Sequence, residues 1–252
     1  MGWTKLIEYE RPKAPVKIAV AGFPGVANVG GQVQAYLVNE LKGKLIARIF
    51  SEHLLLPGNV AGITIDERGG FNLPSVDFYL ASTRPIVLVY SQVQPLPWGQ
   101  MEVAEEIVRY LKDLGVETVF VITGFVNKDD AGKVIIFGND SSMIEEFYKH
   151  GALQNRQIKT IIGLAGAFLG ALKKNDSMKY ISITGIAEDI SYDPKASRAV
   201  LSMMDSVMKL NLNFEHLDKK IAEIEEIRRR LIEELEEQVS EESEEQSPEY
   251  VG

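Results

Sequence analysis

VKIAVA (Val16–Ala21) followed by GFPGVANVGG (Gly22–Gly31) establishes the class of fold of this 252-residue chain. The first run is almost entirely apolar, which is typical of a strand that is covered on both faces. The second run predicts a glycine-rich turn, and the residues after it predict a helix near Gly31 to Leu41. A strand, a turn and a helix in this order are the first unit of an α/β fold.

The same alternation continues to about residue 204. Further strands are predicted at Leu45–Phe50, Ile63–Ile65, Ile86–Tyr90, Val119–Ile122, Lys133–Phe137 and Ile181–Thr184. Helices are predicted over Gly99–Leu114, from Asn139 or Asp140 to about His150, and from Asp193-Pro194 onward. Residues 1–204 are therefore predicted to form a three-layer α/β/α body, with a mostly parallel sheet and helices on both faces.

Several predicted strands end in glycine. Gly22, Gly124 and Gly185 follow strands, and Ile162-Gly163-Leu164 is interpreted as a further strand end. Functional sites of open α/β folds lie where strands leave the sheet, so these glycines mark either a site or only tight turns.

Composition and charge exclude several classes of protein. The chain has no cysteine and three histidines, which excludes a disulfide scaffold, a thiolate metal site and a cysteine nucleophile. The net charge is −9, and the segment from Asp205 carries the whole excess of acids while the body before it is neutral. A neutral body with an acidic arm argues against nucleic acid and anionic membranes as partners.

No membrane or export segment is expected. The N-terminus lacks a basic leader followed by an apolar run. The longest apolar stretch, Thr160–Leu172, is too short to span a bilayer. A cytoplasmic protein is therefore expected.

The C-terminal fifth predicts one long helix over 205–239. From Leu210 a spacing of three and four residues continues for several heptads, as in a coiled coil, through Phe214, Leu217, Ile221, Ile224, Arg228, Leu231 and Leu235, and Arg228 interrupts the apolar run. Such a stripe packs either on its own body or on a second chain, and we favour self-association.

Residues 240–252 are predicted to form a disordered acidic tail, because they are polar up to Pro248. The chain then ends in Tyr250, Val251 and Gly252. This ending is interpreted as a partner-binding element, with an accidental apolar terminus as the alternative.

No catalytic residue, metal ligand or cofactor-binding residue emerges from the motifs. Gly25 and Gly30 have the spacing of a P-loop, but Gly31-Gln32 stand where that motif needs Lys and Ser or Thr. A nucleotide- or nucleoside-binding enzyme that uses the Gly22–Gly31 loop remains the alternative function.

Two loops supply candidate interface residues. Phe23 and Pro24 lie in the glycine-rich loop, and Trp98 lies in the rigid loop Pro95–Gly99. An exposed Trp98 would mark an interface, whereas a Trp98 packed beneath its loop would be structural. Phe214, Leu217, Ile221 and Ile224 are the corresponding candidates on the predicted helix.

The Gly22–Gly30 loop after a buried strand, the Ile161–Gly170 segment and the long helix over Asp205–Glu237 together resemble the PAC2 family of proteasome assembly chaperones, most closely its archaeal homologues. The resemblance covers about residues 10–235. It implies an α/β/α fold similar to nucleoside phosphorylases without their catalytic residues. It also implies a homo-oligomer that helps to assemble proteasome core particles and needs no cofactor.

The resemblance further implies that the C-terminus binds proteasome α-subunits or their ring. Relatives end in a hydrophobic–tyrosine–any tripeptide that inserts between α-subunits. Here Tyr250 is third from the end, and Glu249 stands where the hydrophobic residue is expected. The departure changes the expected register of docking.

Overall fold

A computed structural model describes residues 3–230, apart from residues 68, 177 and 228. The chain divides into two units, residues 1–211 and residues 212–252. None of the helices in the described part of the chain is long and apolar enough to cross a membrane.

The first unit is built on a nine-stranded sheet of spatial order β1-β3-β6-β7-β2-β8-β11-β9-β10. Its strands are β1 (Thr4–Glu8), β2 (Ile18–Gly22), β3 (Lys44–Ser51), β6 (Val76–Leu80), β7 (Ile86–Ser91), β8 (Thr118–Val126), β9 (Val134–Gly138), β10 (Leu153–Gln154) and β11 (Lys179–Ala187). A separate two-stranded hairpin pairs β4 (Thr64–Ile65) with β5 (Phe71–Asn72). The strands predicted from apolar runs are confirmed.

The prediction of a mostly parallel sheet is wrong, because the sheet is mixed. The four central strands β7, β2, β8 and β11 are parallel. On one side of this group, β1 pairs antiparallel with β3, β3 with β6, and β6 with β7. On the other side, β11 pairs antiparallel with β9. The connection from β6 to β7, Ala81–Pro85, is too short for the crossover that parallel neighbours require. It therefore forces a hairpin.

Five helices complete the body in three layers. They are α1 (Val29–Glu40), α2 (Gln100–Asp113), α3 (Ser141–Lys149), α4 (Gly163–Asn175) and α5 (Pro194–Met208). α1, α3 and α5 pack on one face of the sheet, and α2 and α4 pack together on the other. Buried side chains such as Val121 of β8, Ile107 of α2 and Phe168 of α4 share one core between the sheet and this second layer.

The interpretation of Ile162-Gly163-Leu164 as a strand end is wrong, since Gly163 is the first residue of α4. The apolar run from Thr160 thus forms a helix. Gly170 of α4 lies beside α2, where an added Cβ would make an ordinary contact with the end of Met101 at 3.8 Å.

The single helix predicted over 205–239 is also wrong. α5 ends at Met208, where Lys209 adopts a left-handed φ of 56°, and Asn211 follows with φ 59°. Residues 209–214 are not helical, and a second helix begins at residue 215. Lysine tolerates this backbone only at some cost, whereas asparagine favours it. The apolar spacing runs across the break, so the periodicity alone concealed it.

In the second unit the helical residues are 215–227 and 229–230, which we call the C-terminal helix. The backbone N–H of Glu215 donates to the side-chain Oδ1 of Asn213 at 3.0 Å, an Asx-turn that leads into this helix. Phe214, Leu217, Ile221 and Ile224 are half-buried. The predicted helical residues 231–239 and the predicted tail lie outside the described residues.

The predicted helix starts at Asp140 and Asp193 are confirmed. Each carboxylate accepts a hydrogen bond from the backbone N–H three residues later, Met143 at 3.3 Å and Ala196 at 3.0 Å. Asp140 also accepts from the Ser142 hydroxyl at 2.7 Å and lies 2.9 Å from Lys179 Nζ. Hydrogen bonds from Ser142 and Lys179 lower the pKa of Asp140 to about 2.

We expect Asp140→Ala to lower the free energy of unfolding by about 1–2 kcal/mol, because the cap of α3 is lost. Asp140→Asn keeps a capping oxygen and removes only the charge. Since the pKa of Asp140 is depressed on folding, its charge stabilises the fold above about pH 4, and this contribution disappears as the pH falls toward 2. Urea unfolding of the wild type and Asp140→Asn from pH 7 to pH 3 measures the difference.

The difference in unfolding free energy between the wild type and Asp140→Asn should shrink as the pH falls. Asp129→Asn, in an exposed turn, is the matched control and should show a much smaller difference. A gap between the wild type and Asp140→Asn that stays constant over the whole range would contradict the assignment.

Candidate functional site

The central strands bring their carboxyl ends to one edge of the sheet. β2, β7, β8 and β11 are parallel, and β3 runs in the same direction because it is antiparallel to β6, which is antiparallel to β7. We call the edge at which these five strands end the carboxyl edge. The chain leaves β2 toward β3 and later returns to β8 on the other side of β2. Ligand sites in open α/β sheets lie at such a reversal.

A cavity of about 750 Å³ opens at this reversal, and we call it the glycine-loop cavity. Its walls come from the loop after β2, the end of β8, the start of α2 and the segment that leads into α4. Its lining residues are Phe23, Pro24, Gly25, Val26, Gly30, Gln94, Pro97, Gln100, Ile122, Thr123, Gly124, Phe125, Val126, Ile158, Thr160, Ile161, Ile162, Gly163, Ala165 and Thr184. The lining is mostly apolar, and none of these residues carries a charge.

Close backbone contacts shape the loop after β2. A Cβ on Gly30 would lie 2.5 Å from the carbonyl oxygen of Phe23, and one on Gly22 would lie 2.5 Å from the carbonyl oxygen of Gly30. The turn itself is made by Ala27 and Asn28, whose φ angles are 50° and 51°. Gly22 and Gly30 thus serve close packing between β2 and α1.

Gln94 joins two walls of the cavity. Its side-chain Nε2 donates to the carbonyl oxygen of Pro24, and its Oε1 accepts from the backbone N–H of Leu164 at 2.8 Å. One side chain therefore holds the glycine-rich loop against the first turn of α4. Gln94 was not predicted from the sequence, because a single glutamine in a loop carries no local signal.

Hydroxyl groups lie at the floor of the cavity. The Oγ1 atoms of Thr123 and Thr184 are 2.7 Å apart, and Ser182 Oγ lies 3.4 Å from each of them. These side chains are buried, and their hydroxyl groups form hydrogen bonds with one another. The lining supplies neither a carboxylate nor an imidazole to activate a hydroxyl, and no cation for a phosphate. The described residues include no cluster of three or more metal-ligating side chains. The arrangement is suited to binding an uncharged group.

The candidate interface residues have different environments. Phe23 is only 2% exposed and its ring packs edge-to-face on Phe168 at 5.9 Å, and the residue also lines the cavity, so its role in an interface stays a prediction. Pro24 is half-buried and lines the cavity. Trp98 is 74% exposed, which excludes the alternative that it packs beneath its loop. Its role in an interface stays a prediction, and Tyr250, Val251 and Gly252 lie outside the described residues.

The carboxyl edge also carries most of the exposed large apolar side chains in the described part of the chain. They belong to segments that enter or leave the sheet at this edge: Trp3, Val60, Ile63, Ile65, Phe71, Leu73, Trp98, Met101, Val126, Ile162, Ile190 and Tyr192. Tyr9, beyond the other end of β1, and Ile227, in the C-terminal helix, are the exceptions. Concentrated apolar exposure of this kind marks an interaction surface.

A second, polar cavity of about 180 Å³ lies beside β3, β6 and β7. Arg48 Nε lies 3.1 Å from Asp77 Oδ1, and the Tyr79 hydroxyl donates to Asp77 Oδ2 at 3.1 Å. Burial raises the pKa of Tyr79 and of Tyr90, so both phenols stay protonated. The ion pair between Arg48 and Asp77 links β3 to β6. This cluster was not predicted from the sequence, because β6 itself was not predicted.

We expect Gly30→Ala to lower the free energy of unfolding by about 1–3 kcal/mol, because its Cβ would collide with backbone atoms of Phe23. Gly25→Ala is the matched control. Gly25 has an extended backbone with φ −175°, and its added Cβ would come no closer than 4.0 Å to another group. Thermal and urea unfolding of both variants measure the difference. Equal losses in the two variants would contradict the packing role.

The comparisons with known proteins agree with this architecture. The model of the PAC2 family matches residues 19–232. The uncharacterized protein MJ1210 of Methanocaldococcus jannaschii is 26% identical over 218 residues, which cover 85% of this chain and 82% of the relative.

Two crystal structures from Pyrococcus furiosus are similar over nearly the whole chain. PbaB, an archaeal proteasome activator, is 25% identical with a TM-score of 0.78, over 92% of this chain and 99% of that one. PbaA, an archaeal homolog of proteasome-assembly chaperone, is 25% identical with a TM-score of 0.76, over 98% and 99%. Together with the family match, these likenesses establish that the chain belongs to the PAC2 family.

Proposed function

We propose that this protein is a cytoplasmic proteasome assembly chaperone that acts by binding and not by catalysis. The observation that carries the proposal is the family match over residues 19–232, together with the likeness to PbaA over 98% of the chain. The partners are proteasome α-subunits or the ring that they form. Nucleic acid and membranes are not partners, in keeping with the neutral body and the acidic C-terminal segment.

The C-terminal residues Tyr250, Val251 and Gly252 are the proposed contact with α-subunits. An aromatic side chain and a valine supply apolar contact after an acidic segment. Several such ends on one homo-oligomer would act together, which raises the overall affinity without a new contact.

The uncharged cavity disfavours a nucleotide as the ligand, and the lack of a carboxylate or imidazole in its lining disfavours an enzyme that acts on a nucleoside. A phosphate buried there would have no lysine or arginine in the lining, and burying an unpaired ion is costly. No specific feature of the Gly22–Gly31 loop favours it, since the glycines Gly22 and Gly30 are explained by close backbone packing.

Deletion of residues 250–252 should weaken binding to purified α-subunits by at least about tenfold, because one anchoring aromatic typically carries that much binding energy. The measurement is a titration of α-subunits with full-length and shortened protein, with the mass of each complex determined. Ser247→Ala is the control. Equal affinity would remove the C-terminus from the proposal, and no binding by the full-length chain would contradict the proposed function.

Self-association is proposed to use the stripe Phe214, Leu217, Ile221 and Ile224. Ile221→Asp places a charge in the stripe and should dissociate the homo-oligomer, because an unpaired carboxylate is costly to bury. Ala222→Asp adds the same charge at an exposed position and should leave the mass unchanged. Sedimentation velocity measures both. An oligomer that persists in Ile221→Asp would show that the stripe is not the contact.

A further inference from the structure

We infer that the glycine-loop cavity is a docking site for Trp98 of a second copy of this chain, with the two copies exchanging Trp98 side chains across a two-fold axis. This contact is separate from the C-terminal helix and concerns residues of the α/β body. It rests on the homo-oligomer in the proposed function and names a surface on the body that would form it.

The chemistry of the cavity selects an uncharged, apolar occupant. Its volume of about 750 Å³ falls in the range of pockets that bury a group of ligand size. The lining holds no Lys, Arg, His, Asp or Glu, so a charged occupant would lose its hydration without gaining a partner. An indole ring has the required character, since it is large, uncharged and mostly apolar.

Trp98 meets these requirements and lies at the mouth of the same cavity. It follows Pro97, which lines the cavity, and 74% of its surface is exposed. Ile162 and Val126 line the cavity as well, and they are 79% and 36% exposed, so the apolar surface continues from the interior onto the rim. An aromatic anchor beside a pocket with an apolar rim is the usual composition of the centre of a protein interface.

The proximity of Trp98 to its own cavity makes the surface self-complementary. In an interface with two-fold symmetry both copies use the same patch, so each contact occurs twice, with the roles of the two copies exchanged. An axis that passes between Trp98 and the cavity places each Trp98 over the cavity of the partner. Two tryptophans are then buried by one symmetric contact.

Charged side chains around the mouth of the cavity also favour contact between two copies. Glu102 is exposed in the first turn of α2, close in sequence to Trp98, and its Oε2 lies 3.4 Å from His53 Nε2 of the same chain. Arg156 and Lys159 are exposed in the segment that leads into α4, on the side of Ile162. A two-fold axis between the two sides brings the acid of one copy toward the bases of the other. This complementarity favours a second copy as the occupant.

The test uses the full chain and the fluorescence of Trp98. The chain has two tryptophans, so Trp3→Phe leaves Trp98 as the sole reporter. As the protein concentration rises through assembly, the emission of Trp98 should shift to the blue and become protected from acrylamide quenching. Sedimentation equilibrium on the same samples gives the mass.

Trp98→Ala, in the natural background, should raise the dissociation constant of self-association by about tenfold to thirtyfold, as for an interface anchor. Ala165→Phe, which fills the cavity from inside, should have a similar effect while Trp98 stays in place. Tyr9→Ala removes a comparably exposed aromatic (53%) beyond the other end of β1 and should change nothing. Circular dichroism confirms that each variant is folded.

The inference is overturned if Trp98 remains quenchable in the oligomer, or if Trp98→Ala and Ala165→Phe assemble like the wild type. It is also overturned if these variants lose affinity for α-subunits but keep their oligomeric mass, because the occupant would then be a subunit of the proteasome. If Ile221→Asp dissociates the oligomer while Trp98→Ala does not, the cavity contact fails and the proposed function stands.

Discussion

The close approach of α1 to the end of β2 is the constraint on which the rest of this structure depends. Gly22 lies against the backbone carbonyl of Gly30, and Gly30 faces the carbonyl oxygens of Phe23 and Ile122. Any Cβ at these positions would push α1 away from the central strands. With α1 in place, the loop Phe23–Val26 turns toward α2 and α4, and Gln94 fixes it to the start of α4. The cavity is the space that remains between these elements.

The residues that line this cavity carry no charge. An α/β enzyme places acids, bases or cations at the carboxyl edge, where the strands end. Here the carboxyl edge holds apolar side chains and hydroxyl groups that hydrogen-bond to one another. Exposed carboxylates and basic side chains lie at the rim of the cavity. Burial of apolar surface then supplies most of the free energy of any interaction at this edge, at roughly 25 cal/mol for each Å² removed from water.

The sequence was most informative where a single local rule dominates. β2, β7, β8 and β11 are buried on both faces, so their composition alone identified them. β6 was missed because Asp77 and Tyr79 alternate with apolar residues beside a polar cavity. The left-handed turn at Lys209 is set by local backbone geometry that leaves the apolar spacing intact, so a long helix was predicted across it. The burial of Phe23 against Phe168 was not predicted, because only the three-dimensional structure reveals that contact. Exposure of Trp98 likewise depends on how its loop packs.

Exposed apolar groups on the body and an acidic C-terminal segment make different contributions to binding. Apolar contact at the carboxyl edge is insensitive to salt, whereas the acidic segment acts over a distance of about one Debye length, roughly 8 Å at physiological ionic strength. If the body self-associates, the number of C-terminal ends on one particle rises with it. The second end then binds at the effective concentration set by its tether, which is in the millimolar range for short tethers. Association between bodies would thus control the strength of binding by the ends, even though the two surfaces share no residue.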